Sequence, residues 1–203
     1  MEIFIVSFFS YFSGSVPFGL ILIKLLKKKD IRKIGSGNIG ATNVLRTGNK
    51  FLAFLTLLLD VLKGYIPVMI TAQYFPQYIF LSSLVVFLGH IFPIWLRFNG
   101  GKGVATYLGI LFALSFSLAL LFIFTWVVVL LIFKYSSVSS IFSTMTVFVI
   151  ILIKDTVLET FQNNLDFNQN LKLLLFIFFI LILFTHKKNI LNLKNNSEQK
   201  IKL

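Results

Sequence analysis

Three runs of about 20 mostly apolar residues, 3 to 23, 51 to 73 and 78 to 97, restrict this chain more than anything else in it. Each is long enough to cross a hydrocarbon core of about 30 Å, where a single apolar run satisfies its backbone hydrogen bonds as a helix. The composition agrees. Of the 203 residues 57% are hydrophobic and 25 are phenylalanine, and the mean hydropathy is +0.90, well outside the range of soluble domains. The chain therefore reads as an all-α integral membrane protein. Only Met1 and Glu2 precede the first run, with no Lys or Arg, which does not fit a cleavable signal peptide, so that run is expected to remain as a span.

Residues 104 to 133 are ambiguous, since they could form one long tilted helix or two short ones turning near Ser115, Phe116 and Ser117. Two further apolar runs follow, 138 to 154 and 171 to 185. Charge decides between the readings. The stretch from Lys24 to Lys50 carries eight Lys or Arg against Asp30 alone, and the tail after Phe184 carries five Lys against Glu198. The positive-inside rule places both in the cytoplasm. One span at 104 to 133 would put them on opposite sides, whereas a hairpin keeps them together. The expected fold is thus about seven transmembrane helices, some short, with the N-terminus outside and the C-terminus cytoplasmic. The spans lie near 3–23, 51–73, 78–97, 104–116, 118–134, 138–154 and 171–185, in one membrane-integral domain over residues 1–203 without internal repeats. An acidic loop with Asp155, Glu159 and Asp166 falls outside. The net charge of +12, which in a soluble protein would suggest nucleic acid, is here explained by basic cytoplasmic loops that also suit anionic lipid. Absence of cysteine removes disulfides, thiolate metal sites and a Cys nucleophile.

With this topology the polar motifs share the cytoplasmic boundary. The densest is GSGNIGATNVLRTG, Gly35 to Gly48. Its four glycines allow the backbone to turn N–H groups toward a ligand, and Ser36, Asn38, Thr42, Asn43 and Arg46 add side-chain donors, the composition of an anion site rather than a plain turn. A second segment, FNGGKGVAT from Phe98 to Thr106, sets Lys102 among Gly100, Gly101 and Gly103 at the start of a span, where a helix N-terminus also favours anions. It is not a P-loop, because Gly103 stands where Ser or Thr would meet magnesium. Nor do Gly35, Gly37 and Gly40 make a dinucleotide fingerprint, since no soluble strand-helix-strand unit surrounds them. KYSSVSSI, Lys134 to Ile141, places four serines at a helix entrance, and THKKNILNL sets His186 and Asn189 three apart, on one face if the last helix continues.

Ionisable residues within spans are costly enough to expect a role. Asp60 and Lys63, three apart on one helix face, either neutralise each other or meet substrate. His90, beside Gly89 and near Pro93, reads first as an interhelical hydrogen-bond partner and second as a catalyst. On the inner face carboxylates are sparse and widely spaced, namely Asp30, Asp60 and Glu198, which argues against two-metal chemistry. No metal and no cofactor are expected.

The pieces SGSVPFG at 13 to 19, GSGNIGATNVLR at 35 to 46, DVLKGYIPV at 60 to 68, GHIFPIWLRFNGGKGVAT at 89 to 106, SVSSI at 137 to 141 and HKKNI at 186 to 190 together resemble the bacterial acyl-phosphate-dependent glycerol-3-phosphate acyltransferases. The resemblance covers nearly the whole chain in the family's order. It implies a seven-helix, multi-pass enzyme of the bacterial inner membrane with its active site at the cytoplasmic face. The reaction implied is transfer of a fatty acyl group from acyl phosphate to the 1-hydroxyl of sn-glycerol 3-phosphate, giving lysophosphatidate and inorganic phosphate. An acyl phosphate is already an activated anhydride, so positioning and charge stabilisation suffice. On this resemblance Ser36, Arg46, Lys102, Ser140, His186 and Asn189 are the catalytic candidates. Gly37, Asn38, Gly40, Thr42, Asn43, Gly100, Gly101, Gly103 and Ser139 would bind substrate. Lys102 would neutralise the second phosphate or the oxyanion, Ser139 or Ser140 would orient acyl phosphate, and His186 with Asn189 would hold glycerol phosphate. The general base is either His186 or a substrate phosphate oxygen. Expected partners are the two substrates, membrane lipid and other enzymes of phospholipid synthesis, with no nucleic acid. The tail departs from the family, whose basic residue and glycine before the glutamate are replaced by Asn192 and Asn196, with Glu198 retained and Lys188 and Lys194 nearby. Two other classes fit parts of the sequence: an anion transporter, which would need its polar groups at mid-membrane, and a membrane scaffold for lipid enzymes.

Overall fold

The computed structural model describes residues 1–27, 30–158 and 165–201, and the acidic loop expected around Asp155, Glu159 and Asp166 lies outside the residues whose side chains are described. The regular structure of the described residues is helical throughout. They form two compact units, Met1–Phe116 and Ser117–Leu203.

In the first unit, helices α1 (Glu2–Ser15) and α2 (Phe18–Lys27) come from the first apolar run, bent by 40° at a break over Val16 and Pro17. Pro17 lacks the N–H that would continue the helix, so the span divides there. A short α3 (Ala41–Leu45) precedes α4 (Lys50–Tyr74), whose first turn is capped by Asn49 Oδ1 accepting from the Leu52 N–H at 3.0 Å. Helices α5 (Ile79–Ile91) and α6 (Val104–Leu114) complete the unit.

Small residues set how closely these helices pack. A methyl group on Gly64 of α4 would collide with the Thr106 carbonyl of α6, and one on Gly109 of α6 with the Val61 carbonyl of α4. Gly14 of α1 and Gly89 of α5 make the same reciprocal approach, to Val86 O and Tyr11 O. Lipid gives helices little hydrophobic reason to associate, so close backbone contact and interhelical hydrogen bonds must hold them. Ser10 and Ser82 bond across α1 and α5 at 2.8 Å, and Tyr11 OH donates to the Phe92 carbonyl at 2.8 Å.

The ambiguous stretch 104 to 133 is two helices. Ser115 is extended (φ −163°, ψ 114°), and α7 (Phe116–Phe133) begins immediately after it. The second unit contains α7, α8 (Ser136–Leu158), α9 (Leu165–Thr185) and α10 (Lys187–Lys194), with Lys134 in a left-handed turn (φ 63°) between α7 and α8. Phe148 of α8 packs against Phe176 and Phe179 of α9 at ring separations of 5.5 and 6.3 Å, over a core that includes Val147, Leu175 and Phe178. The last helix does not run straight on: α10 is turned 55° from α9, with His186 at the bend.

Among the described residues four helices are long and apolar enough to cross a membrane, and six spans result if each bent pair counts as one. Val104–Leu114 is a further, shorter apolar helix, at 11 residues only about 16 Å long. The seven-helix expectation, including its short member, agrees with this. The outward faces are strongly apolar, with Phe4, Phe54, Phe124 and Ile132 all exposed, as a lipid-facing surface requires. The protein is an all-helical, multi-pass membrane protein. Gly64→Ala should force α4 and α6 apart and lower stability by about 1–3 kcal/mol, read as an earlier thermal unfolding midpoint in detergent, whereas Leu58→Ala on an exposed position of α4 should change it little.

Candidate active site

The glycine-rich loop is organised by Asn43, which is 1% exposed. Its Nδ2 donates to the carbonyls of Ile31, Ile34 and Asn38 at 3.1, 2.9 and 2.7 Å, and its Oδ1 accepts from the Ser36 N–H at 3.0 Å. Asn43 therefore ties the loop's two ends to its middle. Gly35 (φ 54°) and Gly37 (φ 73°) take the left-handed turns this closure needs. A Cβ at Gly35 would strike the Asn43 carboxamide and lie 3.0 Å from Arg46 Cδ, so the arginine stem runs directly beside Gly35 and Ser36. The structure thereby brings Ser36, Asn43 and Arg46 together.

The loop's backbone differs from the expected open array of donors. The N–H of Gly37 is bonded to Ile34 O, that of Ile39 to Asn38 Oδ1, and those of Asn43 and Val44 to Gly40 O. Loop rigidity is the result, and the side chains of Ser36, Asn38, Thr42 and Arg46 lie half-buried on it. Nearby Arg32 is engaged elsewhere. It forms an exposed ion pair with Asp30 at 2.7 Å, and its side-chain and backbone hydrogen bonds hold the Asp30 carboxyl down to about 2.

Lys102 is set by a loop folded back on the end of α5. Gly100 and Gly101 donate to the carbonyls of Ile91 and His90 at 3.1 and 3.2 Å, and Arg97 and Phe98 take left-handed conformations to make the return. His90 lies buried beneath Gly101, where a side chain would collide with its Nε2, and its Nδ1 meets Thr106 Oγ1 at 3.0 Å. This is the interhelical hydrogen bond expected of His90. Gly103 (φ 83°) then starts α6 against the Phe87 ring, so half-buried Lys102 stands at the amino end of α6.

Asp60 and Lys63 form a buried ion pair at 2.7 Å within α4, and the ammonium also donates to the Val16 carbonyl at 2.7 Å. Of the two roles left open by their spacing, the structure supports mutual neutralisation.

In the second unit the serines at the entrance of α8 bond back along their own helix: Ser139 to Tyr135 O at 3.0 Å, Ser140 to Ser136 O at 2.8 Å. Ser140 Oγ also accepts from Trp126 Nε1 at 3.2 Å. Glu198 joins α8 to α10, its Oε1 accepting from Asn189 Nδ2 at 2.6 Å and from Ser137 Oγ at 3.0 Å. His186 is 1% exposed, and its Nδ1 lies 2.8 Å from the Ile182 carbonyl. A carbonyl can only accept, so Nδ1 carries a proton in this contact.

Residues 4–196 match the glycerol-3-phosphate acyltransferase family. The chain belongs to that family. It is 51% identical over 203 residues to the glycerol-3-phosphate acyltransferase of Pelagibacter ubique, covering all of both chains. To that of the Wolbachia of Culex pipiens it is 48% identical, over 98% of this chain and 99% of the relative. Among solved structures it is similar to PlsY, an integral membrane glycerol 3-phosphate acyltransferase, in its glycerol 3-phosphate form (TM-score 0.89, 34% identity) and its lysophosphatidic acid form (TM-score 0.86, 33% identity). Both cover 100% of this chain and 96% of the solved one.

Asn196 adopts φ 55° where the family's pattern has glycine, and Asn192 donates to Glu198 Oε2 at 3.3 Å. One contact beside the candidate site carried no sequence signal: Trp126, which donates to Ser140, is an ordinary residue of an apolar run. Asn43→Asp, which keeps the shape and the acceptor but removes the donor to three carbonyls, should release the loop. We expect amide exchange over residues 35–46 to accelerate and activity to fall at least tenfold, about the loss of two or more hydrogen bonds.

Proposed function

We propose that this acyltransferase moves a fatty acyl group from an acyl phosphate to the 1-hydroxyl of sn-glycerol 3-phosphate, releasing inorganic phosphate and leaving lysophosphatidate in the membrane. The observation that carries this is the full-length likeness to PlsY, whose glycerol 3-phosphate and lysophosphatidic acid forms both superpose on it. Residues 1–203 act as one membrane-integral domain, and the basic loops direct the active site to the cytoplasmic face of the bacterial inner membrane.

Each role follows from the chemistry of the group. Arg46 offers a planar fork to phosphate oxygens, with Ser36, Asn38 and Thr42 donating beside it along the line kept by Gly37 and Gly40. Asn43 acts by holding that line. Lys102, framed by Gly100, Gly101 and Gly103, supplies positive charge at a helix amino end for the second phosphate or the oxyanion that develops as the hydroxyl attacks. Ser139 and Ser140 orient the acyl phosphate. Asn189 and His186 hold the glycerol phosphate, and the hydrogen of the attacking hydroxyl passes either to His186 or to a substrate phosphate oxygen. The leaving group is phosphate, so no covalent acyl-enzyme is needed. Membrane lipid delivers the donor and receives the product, and other enzymes of phospholipid synthesis are its partners.

Purified protein given palmitoyl phosphate and labelled glycerol 3-phosphate should make lysophosphatidate, and give none with palmitoyl-CoA. Product from the thioester alone would overturn the donor assignment, and anion uptake into liposomes without product would favour transport. Arg46→Ala and Lys102→Ala should each lower kcat/KM by about 100- to 1,000-fold with membrane insertion unchanged.

A further inference from the structure

We infer that the buried Asp60–Lys63 pair is a positioning device for the glycine-rich loop, acting through the break in the first span. The inference rests on the reading of residues 35–46 as a substrate site. A buried ion pair seldom repays its own desolvation compared with apolar residues of the same size, and both side chains here are 3% exposed. The pair therefore calls for a role besides stability. Its geometry supplies one, because the Lys63 ammonium, already 2.7 Å from Asp60 Oδ1, reaches off its own helix to the Val16 carbonyl at 2.7 Å and lies 5.6 Å over the Phe18 ring. Val16 and Phe18 flank Pro17, so the ammonium grips the hinge between α1 and α2 from both sides. Asp60, 2.7 Å from the ammonium, keeps it aimed.

What the hinge controls is the course of α2. Gly19, in its first turn, is pressed between α4 and the loop, where a methyl group would collide with the Ile39 carbonyl and come 2.9 Å from Thr56 Cγ2. One turn later Ile23 enters a buried apolar cluster with Ile31, Ile39, Val44, Leu52 and Ala53. Ile39 sits between Asn38 and Gly40, so the line of contact runs from Lys63 to Val16, along α2 to Ile39, and into the phosphate-binding segment. Interiors this closely packed transmit displacement rather than absorb it. Letting the hinge relax therefore moves the loop and the Arg46 it carries.

The test is a kinetic cycle. Asp60→Leu/Lys63→Met removes both charges, leaving no orphaned ion, and deletes the Val16 contact. We expect this variant to insert and to keep its thermal midpoint within a few degrees, while kcat/KM falls on the order of 10- to 100-fold, the usual cost of misplacing a contact by about an ångström. In an Arg46→Ala background the same double change should cost no further loss beyond about twofold, since a misplaced loop matters only through the arginine it carries. A purely structural role would instead multiply the two losses. Gly19→Ala pushes Ile39 without touching a charge and must show the same selective loss and the same dependence on Arg46, which keeps the proposal open to refutation if the double variant does not fold. Near-wild-type kcat/KM in Gly19→Ala, or losses that multiply with Arg46→Ala, would overturn the positioning role alone. Wild-type activity in Arg46→Ala itself would overturn the site reading and this inference with it.

Discussion

Hydrocarbon offers no hydrogen-bond partners, so a polar side chain inside a span is tolerable only where another part of the chain answers it. That constraint turns polar residues into fasteners. Ser10 holds Ser82, Tyr11 holds the Phe92 carbonyl, Trp95 Nε1 donates to Ser15 Oγ at 2.8 Å, and His90 meets Thr106. Each bond joins segments far apart in sequence, and each has the effect of a locating pin between helices. The most demanding pair, Asp60 and Lys63, is answered within α4 and then outward at Val16.

Helix α4 is accordingly the frame of the first unit. On one side its ion pair meets the α1–α2 break, and through Gly19 and Ile39 that contact reaches the loop of Ser36 and Arg46. On another side Gly64 abuts Thr106, whose hydroxyl meets His90, which in turn lies beneath Gly101 next to Lys102. Both glycine-rich segments proposed to hold phosphate thus lead back, by short chains of contacts, to one helix. The proposed catalysis, which places two phosphates and forms no bonded intermediate, would need such rigidity, because misplacement of either group costs rate directly.

The spans were legible in the sequence because hydropathy is a local sum: 51–73 became α4 of Lys50–Tyr74, and the doubtful stretch 104–133 divided at Ser115, inside the expected turn. The pairing of Asp60 with Lys63 was legible for the same reason, as both lie on one helix. What lay beyond a helix was not. The Val16 carbonyl is 47 residues from Lys63, and no periodicity connects them. The loop shows the same limit in the other direction. Its composition announced donors, but composition does not say which way a donor points, and the Gly37 and Ile39 N–H groups and the whole Asn43 amide turned inward. At the far end, the condition attached to His186 and Asn189, that the last helix continue, is not met, because α10 turns 55° from α9 at His186. A bend depends on what the following segment packs against, and that information is not local.

The tail shows why departure from a family's pattern need not weaken a site. A glycine at position 196 would serve to take a left-handed conformation, and among residues with a side chain asparagine accepts that conformation at least cost, so φ 55° at Asn196 preserves the turn. The turn then returns Glu198 to Asn189 and Ser137, and the chain continues until the Ile201 N–H donates to the Lys134 carbonyl at 2.8 Å and Lys200 lies over the Tyr135 ring at 5.6 Å. Asn192, standing where the pattern has a basic residue, gives Glu198 a neutral donor in place of a charge. Lost charge and retained geometry act on different steps. Geometry fixes where Asn189 points, whereas a cation at 192 would have added one more positive charge to a tail that already carries five lysines, and long-range attraction depends on such sums more than on any one residue.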